Sequence, residues 1–218
     1  MKKLITMMLV LFFALPIAAS ADDCLTPDQE AFKISIQDRL QEGFRHYNGG
    51  WLEWLEWCDT LYDEDFVAYN IYGERFTLEM YKRLMGAMMK EFDIVLGGDD
   101  PDAISVVLID PTYDISYEGE TRPVAKAAIQ YDVMFTKKPK EGLGFFAALF
   151  SKIKPPTKIQ TMEFVDFVDD GDNGARVLQG WALSSGEVQP SMDTIMHYMD
   201  DSIPLEDLIA EAEAEAEE

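Results

Sequence analysis

Apolar side chains recur at helical spacing near the start of the chain. Phe32, Ile36, Leu40 and Tyr47 fall along one stripe, which predicts an amphipathic helix. Thr26-Pro27-Asp28-Gln29 starts it with an N-cap hydroxyl, a proline at the first helical position and a capping-box glutamine. Asn48-Gly49-Gly50 stops it. Trp51, Trp54, Leu55, Cys58, Leu61 and Tyr62 repeat the spacing and predict a second helix. Asp63-Glu64-Asp65 leads into a short strand, Phe66 to Asn70, and Gly73 turns the chain. Thr77 caps a third helix, with Tyr81, Leu84, Met85, Met88 and Phe92 on its buried face.

The pattern then changes to strands. Ile104 to Ile109, Val124 to Phe135, Lys158 to Val168 and Ala175 to Leu183 read as extended segments, and Asp169 to Gly174 joins the last two as a hairpin turn. A short helix around Met192 to Met199 follows, and Pro204 opens a last, acidic helix. Helices first and long strands later predict an α+β fold, with helices packed on one face of a curved, mostly antiparallel sheet. Hydrophobic residues at 48% and aromatics at 12% supply enough material for a core.

Charge narrows the function. The chain has 18 basic and 41 acidic residues, a net charge of -23. Such a surface repels phosphate backbones and argues against nucleic-acid binding.

The first 21 residues read as a signal peptide. Lys2 and Lys3 form its charged start, Leu4 to Leu15 its apolar run, and Ala19-Ser20-Ala21 its cleavage site. Asp22 and Asp23 intervene before Cys24, so no lipid attachment site is formed. The expected organisation is a leader over 1–21, one domain over 22–189 and an acidic helical tail over 190–218, with a periplasmic or secreted location. Export permits a disulfide between Cys24 and Cys58, worth about 3–4 kcal/mol in the chain-entropy model. The alternative is two unpaired thiols, since Cys58 falls on an apolar helix stripe. His46 and His197 are distant from each other and from the cysteines, and no motif points to a metal or cofactor. Asp170 to Gly174 superficially matches the start of a calcium loop, but position twelve is Trp181 rather than Glu.

Several segments resemble a known family. Trp57-Cys58-Asp59-Thr60-Leu61-Tyr62-Asp63-Glu64-Asp65-Phe66-Val67-Ala68-Tyr69-Asn70 is similar to the helix-to-first-strand segment of SnoaL-like proteins, in the nuclear transport factor 2-like superfamily. Gly73-Glu74-Arg75-Phe76-Thr77 resembles the glycine before that family's third helix. Phe164 to Phe167, Gly174 to Val177 and Trp181 resemble its closing hairpin. The resemblance runs from about Thr26 to Ser185. It implies a cone-shaped barrel, the sheet wrapped on three N-terminal helices, with a ligand pocket at the open end. A homodimer is compatible with it. In ketosteroid isomerases of that superfamily an Asp near the end of the first strand is the general base. The matching position here is Asn70, and an amide does not accept a proton at neutral pH.

The candidate pocket residues are Trp54, Trp57, Tyr62, Tyr69, Asn70, Met85 and Asp132. The first four belong to an aromatic belt with Trp51 and Tyr72, suited to the wall of an apolar site or to the core. Met80, Met85, Met88 and Met89 suit an adaptable cavity or a loosely specified core. Asp132 alternates with Gln130 and Met134 on one face of a strand. Asp166 interrupts an apolar strand, and Glu163 does so on its other face; a buried carboxylate would serve acid–base chemistry.

Residues 137–158 carry Lys137, Lys138, Lys140, Lys152, Lys154 and Lys158 against Glu141. Within them Phe145, Phe146, Leu149 and Phe150 form an apolar run, 143–150, readable as a lid over the barrel mouth or as a peripheral membrane or protein contact. Three functions follow: a module binding a small apolar or aromatic ligand, a lyase, isomerase or cyclase using a pocket carboxylate, or a protein-interaction module.

Overall fold

The computed structural model describes residues 25–70, 73–97, 100, 103–117, 120–139, 155–169, 174–182 and 188–217, with backbone only over 111–123 and at 169 and 182. Helices α1 (Pro27–Asn48) and α2 (Trp51–Leu61) lead into strands β1 (Tyr62–Tyr69) and β2 (Arg75–Thr77). Then come α3 (Leu78–Glu91), β3 (Phe92–Leu96), β4 (Ser105–Tyr117), β5 (Glu120–Lys137), β6 (Thr157–Asp169) and β7 (Ala175–Ala182). Helices α4 (Met192–Tyr198) and α5 (Leu205–Ala216) complete it. The signal-peptide segment, Cys24, Tyr72 and the apolar run 143–150 lie outside the described residues. Among the described residues no helix is long and apolar enough to cross a membrane.

The α1 start is as its residues predict. The Thr26 hydroxyl accepts from the Gln29 N–H at 3.3 Å, and the Gln29 carboxamide accepts from the Thr26 N–H at 2.9 Å. Ile36, Leu40, Gly43, Phe44 and Tyr47 make its buried face. Gly43 is there for contact: a Cβ would come within 2.7 Å of the Trp57 ring, so α1 and α2 approach as closely as a hydrogen side chain allows.

The sheet is ordered β2-β1-β7-β6-β5-β3, with β4 also on β5. β5 is its spine. One edge pairs with β6 from Val124 to Phe135; the other is shared, with β4 from Glu120 to Gln130 and β3 from Val133 to Lys137. All pairs are antiparallel except β1 with β7. The α+β class is therefore as expected, but the sheet does not close into a barrel. One edge is the three-residue β2, and α1, α2 and α3 occupy the concave side between that edge and the β3/β4 edge.

Two strands were not foreseen. Phe92 was expected on the third helix, but α3 stops at Glu91 and Phe92–Leu96 pairs with β5. The burial of Phe92, Ile94 and Leu96 follows the period of two that marks a strand. β2 was also missed, being three residues long. Tyr62, expected on α2, instead opens β1.

Along β5 the odd-numbered residues Ala125, Ala127, Ile129, Tyr131, Val133 and Phe135 face the helices, and on β6 Val165 and Phe167 do the same. Trp54, Ile36, Leu108 and Phe167 are among the most deeply buried side chains. The C-terminal helices are docked on this body: Leu208 is buried in the core, and Leu205, Ile209 and Ala212 pack against it.

Candidate functional site

Six elements send side chains into the concave side at one place. On α1, Phe44 and Tyr47 are three residues apart and share a face. Trp54 comes from α2. Tyr62 and Phe66, an even number apart, share a face of β1. Tyr81 and Met85 are one helical turn apart on α3. Tyr131 comes from β5 and Glu163 from β6. Glu163 lies opposite Ile129 in the register, so it is the diagonal neighbour of Tyr131 on the same face.

The rings meet mostly edge to face. Phe44 and Tyr131 have centroids 4.7 Å apart at 65°, and Tyr62 and Phe66 are 4.6 Å apart at 62°. Trp54 lies at the centre, 5.8 Å from Tyr47, 6.0 Å from Tyr62 and 5.8 Å from Tyr81. The Tyr131 hydroxyl donates to Glu163 Oε1 at 2.8 Å. The Tyr47 hydroxyl donates to the Met85 sulfur at 2.9 Å. Tyr62 and Tyr81 share a hydrogen bond between their hydroxyls. Tyr62, Tyr81, Met85, Tyr131 and Glu163 all keep some accessible surface although they lie deep within the fold.

Electrostatics single out the carboxyl. Burial raises Glu163 above the ordinary carboxylate range, and the Tyr131 hydrogen bond only partly offsets it. Burial also raises Tyr47, Tyr62, Tyr81 and Tyr131, helped by the nearby Glu163 charge. The tyrosines therefore stay protonated at any ordinary pH, as donors that can also accept. Glu163 is the group in this cluster placed to gain or lose a proton.

The sequence candidates divide. Trp54, Tyr62 and Met85 come together here. Trp57 packs instead between the helices, stacked on His46 at 5.3 Å with the Arg39 guanidinium 5.0 Å from its ring. Tyr69 is on the opposite sheet face, stacked on Trp181 at 5.7 Å and 7°. Asp132 is also on that face, in an ion pair with Lys158 at 2.9 Å. Asn70 serves a turn: its Oδ1 accepts from the Glu74 N–H at 3.0 Å and its Nδ2 donates to the Glu74 carboxylate. Cys58 is a free thiol, fully buried, and burial pushes it up to about 12. Cys24, the other half of the expected bridge, lies outside the described residues.

Reading the sequence for a site passed over Tyr47, Tyr81 and Tyr131 and left Glu163 among several carboxylates. Strand parity carried the missing signal. Glu163 shares its face with Val165 and Phe167, and Tyr131 shares one with Ile129 and Val133, whereas Asp132 and Asp166 have the opposite parity.

An open groove of about 880 Å³ shares Tyr47 with this cluster and is otherwise lined by Trp51, Lys90, Phe92, Thr194, Tyr198 and Glu215 among others. Its cations are already matched: Lys90 with Glu215, Lys137 with Glu91 and Lys138 with Asp93. The tyrosine and glutamate cluster is the better candidate, because among the described residues one oxygen of its carboxyl accepts no hydrogen bond.

No family model matches the chain, and no curated protein sequence matches it. Solved structures do. A conserved protein from Planctomyces limnophilus aligns over 71% of this chain and 94% of its own, at 11% identity and a TM-score of 0.43. A nuclear transport factor 2-like superfamily protein from Salmonella enterica serovar Typhimurium aligns over 73% and 96%, at 11% identity and 0.39. A ketosteroid isomerase-like protein from Erwinia carotovora aligns over 74% and 100%, at 8% identity and 0.41. Identities this low concern the fold alone.

Proposed function

We propose that this protein binds a small, largely apolar or aromatic molecule on the concave side of its sheet, between α1, α2 and α3. The observation that supports this reading is the Tyr131–Glu163 pair at 2.8 Å, in a ring cluster whose Tyr62 and Tyr81 also keep accessible surface. Rings supply an apolar wall and the pair supplies a polar anchor, the usual economy of a ligand site. The leader-like first 21 residues support the export of the protein that does this binding. N-terminal sequencing of exported material is expected to begin Asp22-Asp23-Cys24, and a start at Met1 would remove the export part.

A second reading is favoured by the raised carboxyl. A glutamic acid whose proton is held above the usual range can pass that proton to a bound molecule and take it back. Glu163 then acts as the acid–base group, and Tyr131 orients it. This replaces the base that Asn70 does not supply.

Intrinsic fluorescence separates binding from a filled core. Trp54 touches three of the tyrosines, so an occupied site is expected to change its emission. Glu163→Gln and Tyr131→Phe are expected to weaken binding while the protein remains folded. Unaltered emission with a broad set of aromatic and apolar compounds, in a protein of normal stability, would overturn the site.

A further inference from the structure

We infer that the molecule bound here carries a positive charge: an organic cation, such as a substituted ammonium with an apolar body, held by the aromatic rings and the Glu163 carboxylate. The inference rests on the proposed binding reading and specifies its ligand class.

Three observations lead to it. First, the cluster is built from rings and one carboxyl. Tyr62, Phe66 and Tyr81 lie within 6 Å of one another between ring centroids, and electron-rich ring faces attract cations. Second, among the described residues the only hydrogen bond to Glu163 comes from Tyr131 to Oε1, so Oε2 has no hydrogen-bond partner among them. A carboxylate deep in a protein needs a counter-charge or a proton. Among the described residues, burial and the Tyr131 hydroxyl are what act on it. The missing counter-charge is what a cationic ligand would bring. Third, the chain carries a net charge of -23, and such a field concentrates cations and repels anions. A neutral apolar ligand would fill the space but leave Oε2 unmet, and an anion would meet both a carboxylate and an opposing field.

The pH dependence follows from the groups that face Glu163. Tyr47 of α1, Tyr62 of β1, Tyr81 of α3 and Tyr131 of β5 all titrate above their ordinary values, so they stay neutral from acid to mildly alkaline pH. Glu163 alone among them changes charge in that range. Binding a cation ionises it and releases a proton, so affinity rises with pH through the Glu163 transition.

The test uses two probes of matched shape on the full-length mature protein. Benzyltrimethylammonium carries a permanent charge; neopentylbenzene is its neutral counterpart. Calorimetry or Trp emission is expected to show the cation binding at least about tenfold more tightly. That advantage is expected to fall as pH is lowered from about 8 to about 5, and to shrink in Glu163→Gln. Equal or tighter binding of the neutral probe at both pH values overturns the charge assignment and leaves the binding site standing. Failure of both probes in folded protein overturns the binding reading as well. The wild-type comparison stands even if the variant is unstable.

Discussion

The carboxylate of Glu91, at the end of α3, accepts a hydrogen bond from the Ser191 backbone N–H at 2.8 Å, at the start of α4. It also accepts from the Thr194 hydroxyl at 2.6 Å. One side chain at the end of α3 thus holds the Ser191–Thr194 start of α4, and ties the C-terminal segment to the body.

Acid should loosen that tie. Burial pushes Glu91 upward, but the bonds from Ser191 and Thr194 and the charge of Lys137 outweigh it and bring the carboxyl down to about 2. A depressed folded-state value means the stabilisation is complete above the unfolded value and is lost as pH falls towards 2. Amide exchange in α4 is expected to speed up between about pH 4.5 and about pH 2, before the sheet opens. Glu91→Gln should flatten this pH dependence and cost about 1 kcal/mol at neutral pH. Exchange in α4 that tracks the sheet at every pH would contradict it.

Arg83 makes the second tie. It is 4% exposed, and its guanidinium donates to the Tyr198 carbonyl at 3.3 Å and the Ile203 carbonyl at 2.9 Å, besides pairing with Glu79. Removing it leaves those carbonyls unmet inside the protein. Arg83→Met should cost about 3 kcal/mol in chemical denaturation and open the 199–204 connection to proteases. A loss below about 0.5 kcal/mol would show that water replaces the guanidinium freely.

Gly86 permits a three-way contact. A Cβ there would stand 2.6 Å from the Tyr198 ring and 2.7 Å from the Trp51 ring. Those rings already hold each other edge to face at 5.5 Å, and the Trp51 indole N–H donates to the Lys82 carbonyl at 2.9 Å. Neither can retreat without losing a contact. Gly86→Ala is expected to lower stability by about 1–3 kcal/mol, although alanine favours a helix. Thermal unfolding measures it, and an unchanged or raised midpoint would show that the rings yield.

Cys58 should be chemically silent in the native state. It is 0% exposed and held up to about 12, so the thiolate that reacts is scarce. Thiol reagents at neutral pH are expected to modify it only after denaturation, and rapid labelling of folded protein would refute its burial.

Much of the fold was legible from local patterns. The Thr26 cap, the stripe of Ile36 and Leu40, and the β6–β7 pairing follow from spacing that neighbours along the chain determine. Phe92–Leu96 was misread because a short apolar run next to a helix satisfies helix and strand periods alike, and pairing with Val133 to Lys137 decides it. Asp132 and Tyr69 were separated from Trp54 and Tyr62 for a related reason. A strand's alternation says which residues share a face, but not which face the helices cover.

By itself, the sequence determined the class of the fold, the strong negative charge, and a supply of aromatic side chains at core-compatible spacing. These depend on composition and on periods of two and 3.6. The tertiary structure decided which carboxyl reaches the aromatic rings, because Glu163 meets Tyr131 only through the register of β5 on β6. It also decided that Trp54 rather than Trp57 reaches the tyrosines, because Gly43 lets α1 press against α2 and seal Trp57 between them. Such choices rest on contacts between residues far apart in the chain, and no local pattern encodes the geometry that brings them together.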